Sequence, residues 1–208
     1  GYMSLAPGLV GSFFCPLIIH EQNSVPGLAN KILSTRSTVI FEAFKGAFKG
    51  KRLNTSWVGN PVREKISSYK NTKKKLNENF NILVLGGSQG SKQLNEILCK
   101  AFENKKTPDS WRITHQVGKL DTSLLRKSYE NSGAQFQIED FIHDMGKAYS
   151  EADIIISRAG AMTLSEICEL SKPSILLPLP WSADDHQYKN ALYPVSYTHL
   201  TLPTKEEV

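Results

Sequence analysis

The sequence predicts an α/β protein in which helices cover both faces of doubly wound parallel sheets. The first observation is a regular alternation of short apolar stretches of strand length with stretches whose apolar residues recur at helical spacing. The second is a glycine-rich turn that joins one of these strands directly to a helix. Because each crossover returns the chain in the same direction, the loops after the strands gather at one edge of the sheet.

A polar segment divides the chain into two predicted domains. Residues 1–66 are interpreted as the C-terminal remnant of one domain, and 67–80 as a linker without apolar periodicity. Residues 81–192 form most of a second such domain, and 193–208 form a tail that matches neither. The first stretch has too few elements to cover both faces of a parallel sheet by itself.

The strands and one helix are placed by apolar runs and their flanking turn residues. In the first domain, strands are predicted at 17–19 and 38–41, and a helix opens at Pro26-Gly27 and ends at Leu33. In the second domain, strands are predicted at 82–85, 112–116, 134–138, 153–157 and 174–177. His115 falls inside a strand and is therefore interpreted as a structural histidine.

The composition is ordinary for a soluble protein with a real core. Of the 208 residues, 40% are apolar and 22% charged, and no run approaches a membrane span, so the sequence predicts a cytoplasmic protein. The net charge of +5 suits anionic lipid or phosphorylated substrates, and no RNA-binding signature or zinc-finger spacing supports nucleic acid. Cys15, Cys99 and Cys168 lie among apolar neighbours and are predicted to be reduced core thiols.

The segment Asn81–Phe102 organises the second domain as strand, glycine turn and helix. The turn is Gly86-Gly87-Ser88-Gln89-Gly90, where glycine lets the backbone bend sharply and come close to a ligand. The free N–H groups and positive dipole end of the following helix favour an anion such as phosphate. The alternative is a turn that needs glycine for geometry only.

Residues Ser157 to Glu166 form a second close turn, around Gly160, into a helix. The first helical N–H groups, from Ala161 to Thr163, can face an anion. Glu166 lies about one turn further in, where the helix dipole favours a carboxylate that can accept hydrogen bonds from ribose 2′ and 3′ hydroxyls. The alternative is a capping box, because Thr163 and Glu166 have the required offset.

Further polar residues follow predicted strands. The cluster His20-Glu21-Gln22-Asn23 stands at the carboxyl end of a strand, and its alternative role is to cap the next helix. Arg63 is a candidate phosphate partner or an ordinary solvated arginine. Gln187, with a donor and an acceptor on one amide, suits vicinal sugar hydroxyls. A metal site at Asp184-Asp185-His186 is disfavoured, because consecutive helical side chains point in different directions.

Seven segments, taken in their order and spacing, resemble the peptidoglycan N-acetylglucosaminyltransferases of glycosyltransferase family 28. The resemblance covers about residues 1–192, and the family's first half-domain would precede Gly1. The segments are Gly1–Ser4, His20–Asn23, Gly59–Arg63, Gly86–Gly90, Asp140–Met145, Ser157–Glu166 and His186–Leu192.

The resemblance implies the GT-B fold, with two Rossmann-like domains facing a cleft. It implies an inverting transfer of N-acetylglucosamine from UDP-N-acetylglucosamine to the undecaprenyl-linked muramoyl-pentapeptide, a step of peptidoglycan synthesis that serves cell-wall biogenesis, cell shape and cell division. It also implies a peripheral enzyme at an anionic membrane surface, on the cytoplasmic face of the bacterial inner membrane. No cofactor is implied, because helix N-termini and Arg63 would neutralise the departing UDP.

The family's substrate contacts carry over to positions of this sequence. Ile142 is expected at the uracil, Glu166 at the ribose, and Ser88 with Ala161 to Ser165 on the diphosphate side. Asn23, Arg63 and Gln187 are expected toward the sugar and its leaving diphosphate. The full predicted set is Asn23, Arg63, Ser88, Ile142, Ala161, Met162, Thr163, Leu164, Ser165, Glu166 and Gln187. No general base is assigned, and His20 is not given that role.

Two other functions stay open at this stage. Because the family's first half-domain precedes Gly1, residues 1–208 alone are expected to bind the donor without transferring its sugar. A donor-binding subunit that needs a separate acceptor-binding partner fits the same residues, as does a UDP-sugar epimerase of the same fold. A nicotinamide enzyme is disfavoured, because Gly-Gly-Ser-Gln-Gly differs from the dinucleotide-binding Gly-x-Gly-x-x-Gly.

Overall fold

The computed structural model describes residues 2–49, 54–70, 79–103, 105–178 and 185–195. Eight α-helices, one 3-10 helix at Tyr2–Ser4 and eight strands lie within these ranges. In chain order the α-helices and strands are α1 (Leu5–Gly11), β1 (Ile18–Glu21), α2 (Leu28–Leu33), β2 (Val39–Glu42), β3 (Thr55–Trp57), α3 (Glu64–Ser67), β4 (Phe80–Leu85), α4 (Lys92–Phe102), β5 (Trp111–Gln116), α5 (Ser123–Ser132), β6 (Gln135–Glu139), α6 (Met145–Glu151), β7 (Ile154–Ser157), α7 (Ala161–Glu169), β8 (Ser174–Leu176) and α8 (His186–Val195).

These elements form two compact units. Of the described residues, the first unit contains 2–49, 54–61, 160–165 and 185–195, and the second contains 62–70, 79–103, 105–159 and 166–178. The domain boundaries at 66, 81 and 192 stay a prediction, and residues 71–78 of the predicted linker lie outside the described ranges.

The first unit is built on a parallel sheet of three strands in the order β1-β2-β3. Its core contains Ile19, Leu33 and Ile40, with Leu5 and Leu9 of α1 packed against them. Strand β1 continues to Glu21, two residues past its predicted end, so the cluster His20–Asn23 includes the carboxyl end of the strand. His20 and Glu21 pair in parallel with β2, which extends the ladder beyond the apolar run that marked the strand.

The second unit contains a parallel sheet of five strands in the order β6-β5-β4-β7-β8, with helices between successive strands. Each predicted strand of this domain is present, with ends shifted by at most two residues. Strand β4 is central, which explains why Ile82 to Leu85 are all buried and read as an unbroken apolar run. The prediction of an α/β protein with doubly wound parallel sheets is therefore confirmed.

Helix α4 shows how the local sequence sets an element of this unit. Ser91 precedes the helix, and its side chain accepts a hydrogen bond from the Leu94 N–H. Leu94, Leu98 and Phe102 recur every fourth residue and are buried against the sheet. Burial of each such side chain stabilises the fold by about 1.5–3 kcal/mol. This is larger than the differences in intrinsic helix propensity among ordinary residues, so packing is the main reason that α4 forms.

Two other predictions need correction. Cys15 and Cys168 are exposed, and Cys99 is only partly buried, so the cysteines are not core residues. Helix α8 continues through Pro194 to Val195, although the two prolines of residues 193–208 argued against a helix there. A proline this close to the end of a helix disturbs its last turn only. The rest of the predicted tail, 196–208, lies outside the described ranges.

His115 is structural, as the sequence predicts. Its side chain has no exposed surface, Nδ1 lies 3.0 Å from the Tyr129 hydroxyl, and Nε2 has no hydrogen-bond partner among the described residues. Burial lowers the pKa of His115 from its ordinary value of 6.5 to about 4, because the charged imidazolium loses its hydration.

Acidification is therefore expected to destabilise the second unit through His115. The unfolded chain takes up this proton below a pH near 6.5, whereas the folded protein takes it up only near pH 4. The contribution of neutral His115 to the free energy of unfolding is complete above pH 6.5. It decreases as the pH is lowered, by about 1–2 kcal/mol between pH 7 and pH 5. Urea denaturation of the wild type and His115→Gln at several pH values measures the difference. The exposed His143→Gln is the control and keeps the wild-type dependence. Equal pH dependence in all three proteins would contradict the argument.

No helix among the described residues is both long enough and apolar enough to cross a membrane.

Candidate functional site

The glycine turn between β4 and α4 holds glycines with different roles. Gly87 and Gly90 both have positive φ, 84° and 78°. A Cβ at Gly90 would lie 2.0 Å from the Val117 carbonyl oxygen, whereas a Cβ at Gly87 would meet nothing within 4 Å. Gly90 therefore serves the close packing of two loops, and Gly87 leaves open backbone beside the exposed Ser88. The geometric interpretation of this turn therefore applies to Gly90. The ligand-binding interpretation stays a prediction, and it concerns Gly87.

Glu166 is the most unusual acidic side chain of the second unit, because it is only 6% exposed. Its Oε1 accepts a hydrogen bond from Arg63 Nη2 at 3.0 Å, and its Oε2 accepts one from the Tyr149 hydroxyl at 2.9 Å. Thr163 lies inside α7 instead of before its first turn, so the capping-box alternative is wrong. The structure thus brings two predicted site residues, Arg63 and Glu166, into direct contact.

Tyr149 is a residue of this site that sequence reasoning missed. It lies in α6, is 1% exposed and donates its hydroxyl proton to Glu166. Burial raises its pKa, and the charge of Glu166 and the hydrogen bond to it raise the pKa further. A tyrosine in an apolar helical face reads as core, and its hydrogen bond to a residue 17 positions away leaves no local signal in the sequence.

Arg63 stands at the N-cap of α3, and its guanidinium pairs with Glu166 of α7. Its side chain is 62% exposed although it pairs with the nearly buried Glu166. A second pair, Lys70 with Glu169 at 3.2 Å, joins the same two segments about one turn further along α7. A Cβ at Gly146 would lie 2.6 Å from the Lys65 carbonyl oxygen, so glycine allows α3 to pack closely against α6.

Ile142, the predicted uracil contact, lies in the loop between β6 and α6. Its side chain is buried, whereas the neighbouring Phe141 and His143 are exposed, with ring centroids 5.1 Å apart. A ligand at this loop would therefore meet the backbone of Ile142 and the side chains beside it.

In the first unit, Glu21 organises the loop that contains Asn23. The buried carboxylate of Glu21 accepts hydrogen bonds from the backbone N–H groups of Asn23 and Gly27, at 2.9 and 3.1 Å. It also accepts from the side-chain amides of Asn23 and Asn30, at 3.3 and 2.8 Å. Gly27 stands at the N-cap of α2, and the polar cluster reaches this end of the helix through Glu21, which binds the Gly27 N–H.

Asn23 is also joined to α8, the helix that carries Gln187. Asn190 is buried, donates from Nδ2 to Asn23 Oδ1 at 3.2 Å, and accepts from the Ser24 N–H and hydroxyl at 2.8 Å. Gln187 precedes Asn190 by three residues and so lies on the same face of α8. The structure thereby brings Asn23 close to the helix of Gln187 within the first unit.

The predicted residues of the first turn of α7 differ in exposure. Ala161 and Leu164 are buried, whereas Met162, Thr163 and Ser165 are partly buried. The Ser165 hydroxyl donates to the Ala161 carbonyl at 2.9 Å and accepts from Asn60 Nδ2 at 3.0 Å. The first backbone N–H groups of a helix have no partner within it, which keeps those of Ala161 to Thr163 suited to an anion.

Among the described residues, no three histidine, cysteine, aspartate or glutamate side chains form a group able to hold a metal ion. Asp184, part of the disfavoured Asp-Asp-His metal site, lies outside these residues.

Comparison with known proteins identifies similar sequences over most of the chain. The model of the glycosyltransferase family 28 C-terminal domain matches residues 81–198, which extends past Leu192. Two curated relatives share one name, UDP-N-acetylglucosamine–N-acetylmuramyl-(pentapeptide) pyrophosphoryl-undecaprenol N-acetylglucosamine transferase. The protein of Desulfotalea psychrophila is 41% identical over 86% of this chain and 50% of its own length. That of Psychromonas ingrahamii is 40% identical over 100% of this chain and 58% of its own length.

A solved structure is similar as well. The crystal structure of Acinetobacter baumannii MurG aligns with a TM-score of 0.74 and 35% identity, covering 94% of this chain and 55% of that one. This similarity confirms the GT-B class of the predicted fold. The chain spans about half the length of the curated relatives it matches.

Proposed function

The chain belongs to glycosyltransferase family 28, whose C-terminal domain it contains, and we propose on this basis that it binds UDP-N-acetylglucosamine as a sugar donor. The proposed reaction is an inverting transfer of N-acetylglucosamine to the undecaprenyl-linked muramoyl-pentapeptide of peptidoglycan synthesis. The names of its relatives support this donor and this acceptor. The observation that carries the proposal is the environment of Glu166.

A carboxylate as buried as that of Glu166 loses much of its hydration, and an ion pair with the exposed Arg63 regains only part of that free energy. The pair therefore contributes little to the stability of the fold, and recognition of a ligand is the better explanation for a buried carboxylate here. The two carboxylate oxygens can accept hydrogen bonds from two neighbouring hydroxyls, as the ribose of a nucleotide offers. We assign Glu166 to the ribose on this basis.

The remaining contacts in the second unit follow the same chemistry. Ser88 and the open backbone at Gly87 lie just before α4, an 11-residue helix whose N-terminus favours phosphate. Once ribose hydroxyls occupy Glu166, Arg63 is available to pair with the diphosphate through its planar guanidinium. Ile142 would contact uracil through its backbone, because its side chain is buried. The roles of Asn23, Gln187 and Ala161 to Ser165 stay predictions.

In the proposed reaction, a hydroxyl oxygen of the acceptor forms a bond to the anomeric carbon from the face opposite the diphosphate. Its proton passes to a general base, a role that is assigned to no residue of this chain. The bond between that carbon and the diphosphate oxygen breaks, and UDP leaves with the electron pair. Arg63 and the N-terminus of α4 stabilise the negative charge that develops on the departing UDP.

We place the activity at the cytoplasmic face of the bacterial inner membrane, with the protein bound peripherally to an anionic surface. A lipid-linked acceptor requires the enzyme to work at the membrane, and the net charge of +5 supports attraction to anionic headgroups. No nucleic-acid partner is proposed.

Calorimetry with UDP-N-acetylglucosamine is expected to show binding that is unchanged by EDTA. The physical reason is that Arg63 and the N-terminus of α4 supply the positive charge that a divalent ion supplies in other sites. ADP-N-acetylglucosamine, which keeps the diphosphate and the sugar, is the control for uracil recognition and is expected to bind more weakly. Loss of binding in EDTA, or equal affinity for both nucleotides, would contradict the proposal.

Product analysis separates the proposed reaction from the two alternatives. A new glycosidic bond to a lipid-linked acceptor supports the transferase, and an epimerised UDP-sugar supports the epimerase. Binding without any product by residues 1–208, followed by a product once a separate acceptor-binding partner is added, supports the donor-binding subunit.

A further inference from the structure

The two partners of Glu166 differ in how easily a ligand can replace them. Arg63 is 62% exposed and reaches Oε1 from the solvent side, so an incoming ribose can take its place. Tyr149 is fully buried and reaches Oε2 from inside the second unit. It occupies one of the two positions at which this oxygen accepts hydrogen bonds, and it leaves both positions of Oε1 and one of Oε2 for ligands. Tyr149 is therefore a permanent partner of the carboxylate.

Helix α6 holds the tyrosine in place from both of its ends. At the N-terminal end, Asp144 Oδ1 accepts the Lys147 N–H at 3.0 Å as a helix cap. Near the same end, Gly146 packs against the backbone of Lys65, where a side chain would not fit. At the C-terminal end, Lys172 Nζ donates to two backbone carbonyls, at 2.7 and 2.9 Å. A phenol on a helix fixed in this way has one position relative to Glu166.

The direction of this hydrogen bond is also settled. Burial, followed by the neighbouring Glu166 charge, raises the pKa of Tyr149, so the hydroxyl keeps its proton at every physiological pH. It therefore donates, and the Glu166 carboxylate accepts. A charge-assisted hydrogen bond of this kind is among the stronger ones that neutral donors form.

We infer that Tyr149 is a positioning residue for nucleotide recognition, whose buried hydroxyl orients the Glu166 carboxylate to receive the two ribose hydroxyls. The inference rests on the proposed function, because it needs a ribose at Glu166. Without the tyrosine hydroxyl, the carboxylate can turn about its side-chain torsions toward Arg63 alone. The geometry offered to vicinal hydroxyls is then lost although the charge remains.

Tyr149→Phe in the 208-residue chain tests this inference, with UDP and 2′,3′-dideoxy-UDP as probes. UDP affinity is expected to fall about tenfold, the usual loss for a hydrogen bond to a charged group, whereas dideoxy-UDP affinity stays the same. A merely structural role would weaken both nucleotides together. Tyr129→Phe is the matched control, because Tyr129 is equally buried in the same unit and bonds His115. It is expected to leave both affinities unchanged.

A double-mutant cycle gives a second measurement that does not depend on the stability of one variant. In the Glu166→Ala background, the change Tyr149→Phe is expected to have no further effect on UDP affinity, because the carboxylate that Tyr149 positions is absent. Additive losses in the cycle would overturn the inference. So would an unchanged ratio of UDP to dideoxy-UDP affinity in Tyr149→Phe.

The outcomes for the wild type separate this inference from the proposed function. Equal binding of UDP and dideoxy-UDP by the wild type would contradict the ribose contact at Glu166 and the role of Tyr149, and would leave the binding of the UDP donor itself intact. A wild type that prefers UDP, together with a Tyr149→Phe variant that keeps the same preference, overturns only the role of Tyr149.

Discussion

Glu166→Ala is expected to weaken UDP binding about ten- to a hundredfold, the effect of losing charge-assisted hydrogen bonds to the ribose. The same change leaves the buried Tyr149 hydroxyl without its acceptor, which is expected to lower the free energy of unfolding by about 1–3 kcal/mol. Calorimetry well below the melting temperature measures the affinity of folded protein, and thermal unfolding measures the stability. The two effects are separable because they are obtained from different experiments.

Glu169→Ala is the control for this prediction. Glu169 lies three residues further along α7 and pairs with the half-exposed Lys70 at 3.2 Å, which resembles the pair of Glu166 with Arg63. An exposed ion pair contributes little to stability, and Glu169 lies further from the N-terminus of α7, so UDP affinity and melting temperature are expected to stay near the wild-type values. If folded Glu166→Ala binds UDP as well as the wild type does, Glu166 has a structural role only.

Gly90→Ala is expected to destabilise the second unit by about 3–5 kcal/mol. The new Cβ would lie 2.0 Å from the Val117 carbonyl oxygen, and φ at this position is 78°, a conformation that costs an alanine free energy by itself. Since the obstacle is backbone, it cannot move aside as a flexible side chain would. Denaturation in urea, followed by circular dichroism, measures the loss.

Gly87→Ala separates the two causes of that loss. Gly87 has nearly the same φ, 84°, but a Cβ there would meet nothing within 4 Å. It is expected to lose only about 1–2 kcal/mol, the contribution of the left-handed conformation alone. Equal losses at both positions would show that the close approach of the two loops is not what requires Gly90.

The sequence predicts the strands and helices of the second unit well, because they follow from the spacing of apolar residues within each segment. An unbroken apolar run predicts β4, because a central parallel strand is buried on both faces. The turn Gly86–Gly90 and the helical spacing of Leu94, Leu98 and Phe102 predict the following helix. These signals report which face of a segment is buried, and that face depends mainly on neighbours within one or two turns.

The first unit shows where local pattern is insufficient. Strand β1 was predicted to end before His20, because polar side chains at His20 and Glu21 read as a loop. The backbone nevertheless pairs with β2, and the buried Glu21 is satisfied by four donors from the next nine residues. A polar residue that finds such partners can be buried, and the pattern cannot distinguish it from one exposed to water.

The sequence by itself determined the α/β class, the order of the second unit's strands and helices along the chain, and the motifs that point to a nucleotide-sugar donor. Only the tertiary structure decided that Tyr149 and Arg63 converge on Glu166, and that Asn190 of α8 binds the loop of Asn23. The physical reason is separation along the chain. Arg63 lies 103 positions from Glu166, and Asn190 lies 167 from Asn23. Periodicity reports burial within a segment, whereas partners from distant segments are chosen by how sheets and helices pack.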